Sequence, residues 1–215
     1  MTSLFRLLAA LLCAASFVTP AAAATPASDL ARTLRVGDVV FIRVTARPFL
    51  EVATATGSWT NHVGVVVDTS GPEPVVAEST LPVSGTTGFA RFVGRSGGGR
   101  VAISRLRDLS PDEQRGVRAA AARRAGVRYD TGFDLHSRGQ FCSRFVREVL
   151  REATGAEVGE VETFDALLKA RPETDLSFWK VWFLGSIPWQ RETVTPASLL
   201  RSPALTPVFD GTAAP

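Results

Sequence analysis

The residues of this chain that can act together as a nucleophile and its base are one cysteine and two histidines. The sequence has two cysteines, but Cys13 lies in a segment typical of an export signal, which leaves Cys142 without an internal disulfide partner. A lone thiol in an exported protein is buried and inert, paired with another chain, or kept for its reactivity. Thiolate is the reactive form of cysteine, and a nearby imidazole supplies an ion-pair partner and a proton shuttle. His62 and His136 are the available histidines.

Cys142 is predicted to lie in the first turn of a helix that spans residues 142–153 and ends at Gly155. The apolar stripe of this helix consists of Phe145, Val146, Val149 and Leu150. A helix start stabilises a thiolate, because unpaired backbone N–H groups and the helix dipole point at it. Cysteine is also among the most buried residue types, so a plain core role for Cys142 stays open at this point.

His62 and Glu78 are predicted to lie on neighbouring strands. His62 is near the start of an apolar strand over residues 61–68, and Glu78 ends a strand over residues 75–78, most simply joined in a hairpin. Gly64 lies on the same face as His62 and is expected to leave space beside the imidazole. Glu78 is then placed to accept from the second ring nitrogen and fix its tautomer. The alternatives are a half-buried histidine bonded to backbone and a solvated carboxylate.

His136 competes with His62 as the partner of Cys142. It lies in a loop over residues 132–139, only six residues before the cysteine. Loop histidines of this kind are usually polar surface residues, so we favour His62. One thiol and two histidines would bind zinc only with the help of a carboxylate, and the sequence lacks metal-ligand spacing. We therefore expect neither a metal nor a cofactor.

The N-terminal residues 1–24 are predicted to be a secretory signal peptide. Arg6 provides the positive n-region, residues 7–18 the apolar region, and residues 20–24 a run of small residues with cleavage near Ala23 or Ala24. The apolar run is shorter than the ~20 residues that a spanning helix needs. We therefore expect an exported bacterial protein, periplasmic or secreted, and no retained membrane anchor.

The remaining length suits one domain. Residues 25–205 are predicted to form it, and residues 206–215 a loose C-terminal tail. The net charge is only +3 at pH 7, and one unit of it leaves with the signal peptide. Basic runs interleaved with aromatic residues do not occur, which argues against nucleic-acid binding.

Strands and helices are predicted to alternate along this domain. Besides the two strands named above, strands are predicted over residues 36–42, 100–106 and 178–184, with an edge strand over residues 89–93. Besides the cysteine helix, helices are predicted from Pro48 to a stop at Gly57, from Pro111 to about Ala125 after a Ser110 cap, and over residues 162–170.

Several short motifs, in this order and spacing, resemble the permuted papain-like amidases, the YiiX/YaeF-like group. The motifs lie at residues 36–41, 61–66, 77–78, 129–130 and 141–143, followed by segments 187–189 and 195–200. These amidases are circularly permuted relatives of the NlpC-type cell-wall cysteine peptidases, and in them the histidine strand precedes the cysteine helix. The resemblance covers residues 36–200.

The resemblance implies an α+β fold of the permuted papain-like (NlpC-like) type, with an antiparallel sheet packed against helices that include the nucleophile helix. It makes Cys142 the nucleophile, His62 the general base and Glu78 the residue that orients His62. Tyr129, the only tyrosine, matches a family tyrosine that lines the site or donates to the oxyanion; the alternative is a packed aromatic. Phe141 departs from the tyrosine that related sequences often carry there, which affects the pocket.

The function implied is that of an exported cysteine-dependent amidase or peptidase that works through a thioester, with cell-wall peptides as one candidate substrate class. Likeness to lipid-acting thiol acyltransferases and hydrolases makes N-acyl or lipid amides an alternative substrate class. Four aromatic residues are candidates for an acyl pocket or for plain core: Trp179, Trp182, Phe183 and Trp189. A third alternative is a non-catalytic binding module with a structural Cys142. The expected partner is a small peptide or N-acyl amide, with possible association with the cell envelope.

Overall fold

The structure, a computed structural model, describes residues 24–214. The predicted signal peptide, with Cys13, lies outside the described residues except for Ala24. Nine strands are present in the described part of the chain: β1 (Thr25–Pro26), β2 (Val39–Ile42), β3 (His62–Asp68), β4 (Val75–Glu78), β5 (Gly85–Gly88), β6 (Arg100–Arg105), β7 (Val161–Thr163), β8 (Glu192–Val194) and β9 (Thr206–Ala214).

The helices of the same residues are α1 (Ala27–Ala31), α2 (Arg47–Thr56), α3 (Phe89–Val93), α4 (Pro111–Arg123), α5 (Cys142–Thr154), α6 (Phe164–Lys169), α7 (Leu176–Trp182) and α8 (Pro196–Leu200). None of these helices is long and apolar enough to cross a membrane.

A seven-stranded sheet in the order β1-β9-β6-β2-β3-β4-β5 forms the centre of the fold. Its strands pair antiparallel, except for the short parallel contact of β1 with β9. The register sets Ile42 opposite His62 and Glu78 opposite Gly85. Since β3 begins at His62 and the antiparallel β4 ends at Glu78, both side chains lie at the same end of the sheet. The expected α+β fold with an antiparallel sheet is confirmed.

Helices bury both faces of this sheet. On one face, Val65 and Ala102 join a core with Val117 of α4 and Phe145 of α5. On the other face, the core includes residues of α1, α3 and the alternate sheet positions: Leu30, Phe89, Phe92, Val40, Val66 and Val76. Helices α2, α6 and α7 form a third, smaller cluster around Trp179. The fully buried central strands therefore read as continuous apolar runs, without the alternation of a half-exposed sheet.

Local sequence signals fixed several helix ends as predicted. Helix α2 stops at Gly57 and α5 at Gly155, both with the positive φ that glycine adopts most readily. Helix α4 begins with a capping box, in which Ser110 and Glu113 each bind the other's backbone N–H. The helix predicted over residues 162–170 is shorter and begins at Phe164, because the hydroxyl of Thr163 accepts from the N–H of Ala166.

The prediction of an edge strand over residues 89–93 is wrong. The edge strand is β5, and residues 89–93 form helix α3. Phe89, Phe92 and Val93 share the helical spacing i, i+3, i+4 and are all buried against the sheet. The alternation of large and small residues in so short a segment fits both helical and strand periodicity. The packing of its apolar side chains against the sheet favours the helix.

The prediction of a strand over residues 178–184 is also wrong. Helix α7 occupies most of this segment, and the side chain of Asp175 caps it by accepting from the N–H of Ser177. Trp179 is buried, while the indole of Trp182 stacks on the ring of Phe178 at helical spacing. Enrichment in aromatic residues is typical of strands, which is why a strand was predicted here. On a helix, aromatic residues four positions apart can also pack against each other, as Phe178 and Trp182 do.

The described part of the predicted loose tail is an ordered strand. Residues 206–214 form β9, which pairs antiparallel with β6 from Arg100 to Arg105 and parallel with β1. The strand was missed because Pro207 and Gly211 are typical of turns. Its pairing covers an edge of β6 that would otherwise present unpaired backbone groups.

Candidate active site

The three predicted catalytic side chains come from three elements that meet at one end of the sheet. His62 begins β3, Glu78 ends β4, and Cys142 is the first residue of α5. All three are buried, with 1%, 3% and 4% of their surfaces exposed. A buried polar or charged side chain costs free energy unless it is paired, so their placement demands partners.

Glu78 and His62 form the closest contact of the site. Oε2 of Glu78 lies 2.5 Å from Nε2 of His62. With the carboxylate ionised, Nε2 carries the proton and donates, which leaves Nδ1 as the nitrogen available to a thiol. The contact expected between the second ring nitrogen and Glu78 is thus present.

Cys142 acts on His62 from the other side of the ring. Burial alone would lower the pKa of His62, but the Cys142 thiolate and the Glu78 carboxylate outweigh it and raise the pKa to about 9. Nδ1 of His62 makes no hydrogen bond to the described residues, even though the thiol is close enough to exert this effect. A loose thiol–imidazole contact is common in free enzymes and tightens when substrate binds.

The start of α5 presents backbone donors next to the thiol. Its N-cap is Phe141, whose side chain makes no capping hydrogen bond. Ser79 Oγ donates to the carbonyl of Gln140 and Ser143 Oγ to that of Val194, at 2.9 and 2.7 Å. The helix start is therefore held by neighbouring segments and lacks a side-chain cap, and helix starts of this kind present backbone N–H donors to an anion.

Arg95 belongs to this site, although no pattern in the sequence singled it out. Its Nη2 lies 2.7 Å from Oε1 and 2.8 Å from Oε2 of Glu78. Burial alone would raise the pKa of Glu78, but His62 and Arg95 together lower it below its ordinary value. Glu78 is thus held as a carboxylate between two cationic partners. Arg95 lies in the turn that follows α3. Because residues 89–93 were predicted to be a strand, this turn was not expected near Glu78.

Gly64 does not leave open space beside the imidazole. A methyl group on Gly64 would lie 2.5 Å from Cγ1 of Val76 and 2.9 Å from Cε2 of Phe92. The ring of Phe92 occupies this position, with its centroid 5.8 Å from that of His62. The absence of a side chain at Gly64 therefore admits Phe92 of α3, and the expectation of an empty space is wrong.

Tyr129 lies beside Cys142, as the resemblance implied for a residue that lines the site. Its hydroxyl is buried and finds no hydrogen-bond partner among the described residues. Burial and the neighbouring Cys142 thiol raise the pKa of Tyr129 well above its ordinary value. The hydroxyl therefore stays protonated at working pH, as a donor without an acceptor.

His136 is not brought to the thiol. Its side chain is 71% exposed, and its Nε2 pairs with Oε2 of Glu192 at 2.7 Å. The structure therefore places only one of the two histidines, His62, at Cys142.

A narrow cleft leads to Cys142 between α2, α6 and α7. Apolar side chains dominate its lining, which includes Phe49, Val52, Phe141, Phe164, Leu168 and Trp179 together with Tyr129, Cys142 and a few Thr, Ser and Asn residues. Of the four aromatic residues considered for an acyl pocket, only Trp179 lines the cleft. Trp182 instead donates from Nε1 to the carbonyl of Thr131, and Trp189 is partly exposed.

Metal ligands do not cluster at this site. Among residues 24–214, no group of three or more His, Cys, Asp or Glu side chains is placed to hold a metal ion. Cys142 and His62 are two donors, and the third polar neighbour, Glu78, contacts the far side of the imidazole.

Comparison with known proteins agrees with this geometry. Residues 33–209 match the family model described as "Permuted papain-like amidase enzyme, YaeF/YiiX, C92 family". The uncharacterized protein YiiX of Escherichia coli K12 is 26% identical over 173 residues, which is 80% of this chain and 84% of that protein. A crystal structure of YiiX from Escherichia coli O157:H7, described there as a metalloprotein, has a TM-score of 0.72 and 24% identity, and the match covers 83% of this chain and 98% of that one. The chain therefore belongs to the family of permuted papain-like amidases.

Proposed function

We propose that this protein is an exported cysteine-dependent amidase that cleaves an amide bond through a thioester on Cys142. One observation carries the proposal: a buried thiol at an uncapped helix start adjoins a histidine whose other nitrogen is held by Glu78. Nucleophilic cysteine catalysis requires a thiol, a base beside it and a group that orients the base. Cys142, His62 and Glu78 would take these roles.

Formation of the thioester begins at Nδ1 of His62, which takes the proton of the Cys142 thiol. The sulfur then bonds to the amide carbonyl carbon, and the electron pair of the C=O bond moves to oxygen. The backbone N–H of Cys142 and the hydroxyl of Tyr129 are the donors placed to stabilise this oxyanion.

Breakdown of the tetrahedral intermediate releases the amine. The C–N bond breaks as Nδ1–H of His62 donates its proton to the leaving nitrogen. Water then attacks the thioester carbon while His62 accepts its proton, and the C–S bond breaks to release the carboxylic acid. Glu78 keeps the ring oriented through both half-reactions.

The description of Escherichia coli YiiX as a metalloprotein raises the question of a metal in this chain. The donors present do not fit one, since the described residues hold no cluster of three ligands. A thiol–imidazole pair also performs amide hydrolysis without a Lewis acid. We therefore assign no step to a metal.

The cleft favours an N-acyl or lipid amide over a cell-wall peptide as substrate. An apolar lining stabilises an aliphatic or aromatic acyl group, whereas it leaves the polar groups of a stem peptide without hydrogen-bond partners. Export to the cell envelope is part of the proposal, supported by the signal-like composition of residues 1–24.

The test compares the purified protein with Cys142→Ala and His62→Gln variants on muropeptides and on N-acyl amides, read by mass spectrometry. We expect cleavage of N-acyl amides, a mass increase of one acyl group on Cys142 during turnover, and neither in the two variants. His136→Gln is the matched control, because His136 also pairs with a carboxylate but lies away from the thiol. Full activity in folded Cys142→Ala would refute the proposal. A native protein inert to substrates and to iodoacetamide would instead indicate a binding module.

A further inference from the structure

We propose that Arg95 is a positioning residue of this site, which holds the Glu78 carboxylate against His62 throughout the reaction. The proposal rests on the proposed function and adds a fourth residue to its machinery. Arg95 acts through Glu78, because both of its side-chain hydrogen bonds go to that carboxylate.

The contacts of Arg95 engage both carboxylate oxygens of Glu78. One nitrogen, Nη2, donates to both carboxylate oxygens at 2.7 and 2.8 Å, while Oε2 also accepts from His62. The guanidinium lies over the ring of Phe92, 4.9 Å from its centroid, and that ring in turn lies against the imidazole. Arg95 is thereby restrained both by charge and by stacking.

The backbone around Arg95 is tied to the central sheet. The N–H of Gly97 donates to the carbonyl of Arg43 at 2.8 Å, and the N–H of Arg43 donates to Ser96 Oγ at 3.1 Å. Arg43 directly follows β2, so the turn that carries Arg95 is attached to the strand beside His62. The position of the guanidinium is therefore set by the fold.

The charged and titratable groups around Glu78 come from several elements. His62 of β3 and Arg95 of the turn after α3 contact it directly, and Cys142 of α5 faces His62, with Tyr129 beside the thiol. Of these groups, only His62 and Arg95 stabilise the negative charge of Glu78. Burial opposes that charge and favours the protonated acid.

Only one of the two positive charges beside Glu78 is present throughout the proposed reaction. His62 is a cation while it holds the thiol proton and a neutral imidazole after it passes that proton to the leaving amine. At that stage Arg95 is the remaining cation in contact with Glu78. We infer that Arg95 keeps Glu78 ionised when His62 is neutral, so that the ring is held in one tautomer for the attack by water.

The test measures kcat and KM from pH 4 to 10 for wild type, Arg95→Met, Arg95→Lys and the control Arg91→Met. Arg91 is an exposed arginine of α3, which immediately precedes the turn that carries Arg95. In parallel, the rate of Cys142 alkylation by iodoacetamide is followed over the same pH range, which needs no substrate. Folding of each variant is checked by thermal denaturation.

We expect the acidic limb of kcat to move up by about 1 to 3 pH units in Arg95→Met, the effect of losing one adjacent opposite charge. KM should not change, alkylation should show the same shift, and Arg95→Lys should behave like wild type. An unchanged profile in folded Arg95→Met would overturn the proposal, as would an equal, pH-independent loss in Arg95→Met and Arg95→Lys. If wild type cleaves no amide, the proposed function fails, and the alkylation profiles still decide the role of Arg95.

Discussion

Oε2 of Glu78 lies 2.5 Å from Nε2 of His62, so the far nitrogen of the ring, Nδ1, is the one left for Cys142. The contact joins the first residue of one strand to the last residue of its antiparallel neighbour. Histidine and carboxylate thus come from a single hairpin, and α5 brings the proposed nucleophile, Cys142, to them. The hairpin fixes the tautomer that a thiol requires, before any substrate binds.

Replacing Glu78 by Gln should show how much the contact between Glu78 and His62 contributes to activity. An amide retains the shape of the side chain but removes the charge that supports a protonated His62. We expect kcat/KM to fall by about 10² to 10⁴-fold, the usual contribution of general acid–base catalysis. The loss of a charged partner for Arg95 should lower the free energy of unfolding by about 1 to 3 kcal/mol.

The matched control for Glu78→Gln is Glu192→Gln, which removes the carboxylate of the exposed His136 pair. Steady-state kinetics and urea denaturation of both variants provide the comparison. Equal activity of the two variants would contradict the assigned role of Glu78.

The His62 ring should titrate well above the pH at which a free imidazole does. The Cys142 thiolate and the Glu78 carboxylate raise the pKa of His62 to about 9 against the effect of burial. Nitrogen-detected NMR of the two histidine rings should therefore show one titration near pH 9, which moves to lower pH in Cys142→Ala. The basic limb of kcat/KM should fall in the same range, because the leaving amine needs the proton of His62. Titration of the His62 ring near its ordinary value of about 6.5 would contradict this account.

The raised pKa of His62 also determines how the free energy of unfolding changes with pH. The folded pKa of His62 lies above the unfolded value, so its proton stabilises the fold. That contribution is complete below about pH 6.5 and is lost as the pH rises through about 9. In His62→Gln the corresponding decline in unfolding free energy should be absent from a urea-denaturation series over this range.

Local patterns were sufficient to predict the main parts of the site. His62 and Glu78 lie at strand ends marked by apolar runs, and Cys142 starts a helix whose stripe and terminal Gly155 are visible in the sequence. Arg95 and Phe92 could not be predicted in the same way. Their contacts depend on where the turn after α3 folds relative to β3 and β4, which no spacing within residues 89–99 specifies.

The errors in the fold have a related cause. Residues 178–184 and 206–214 have weak or misleading local propensities, and long-range contacts decide their structure. Trp179 packs against Phe133 and Phe164 from distant segments, which makes α7 a helix. The pairing with β6, roughly a hundred residues earlier, makes β9 a strand despite its proline and glycine.

Removal of the Tyr129 hydroxyl should test its role as an oxyanion donor. Tyr129→Phe keeps the ring and deletes a buried hydroxyl that has no partner among the described residues. We expect kcat to fall by about 10² to 10³-fold with KM unchanged, as for other oxyanion donors. Stability should stay the same or rise by about 1 kcal/mol, because an unsatisfied buried group is removed. A destabilised variant with normal kcat would show a packing role instead.

Gly64→Ala should disturb the site without touching a catalytic side chain. The added methyl group would meet Val76 and the ring of Phe92 at 2.5 and 2.9 Å, and that ring supports both His62 and the guanidinium of Arg95. Relief of the clash requires both the Val76 side chain and the Phe92 ring to move. Overpacking of this kind costs about 1 to 3 kcal/mol.

The matched control is Gly71→Ala, since the nearest atom to a methyl group there is 3.9 Å away. Urea denaturation and kcat of both variants give the comparison. We expect Gly64→Ala to lose both stability and kcat and Gly71→Ala to lose neither. If Gly64→Ala lost stability but kept its kcat and its acidic pH limb, Phe92 would be a packing residue alone. A joint loss of stability, kcat and the acidic limb would support the proposed arrangement, in which α3 supports the hairpin and the hairpin orients the imidazole that activates the thiol.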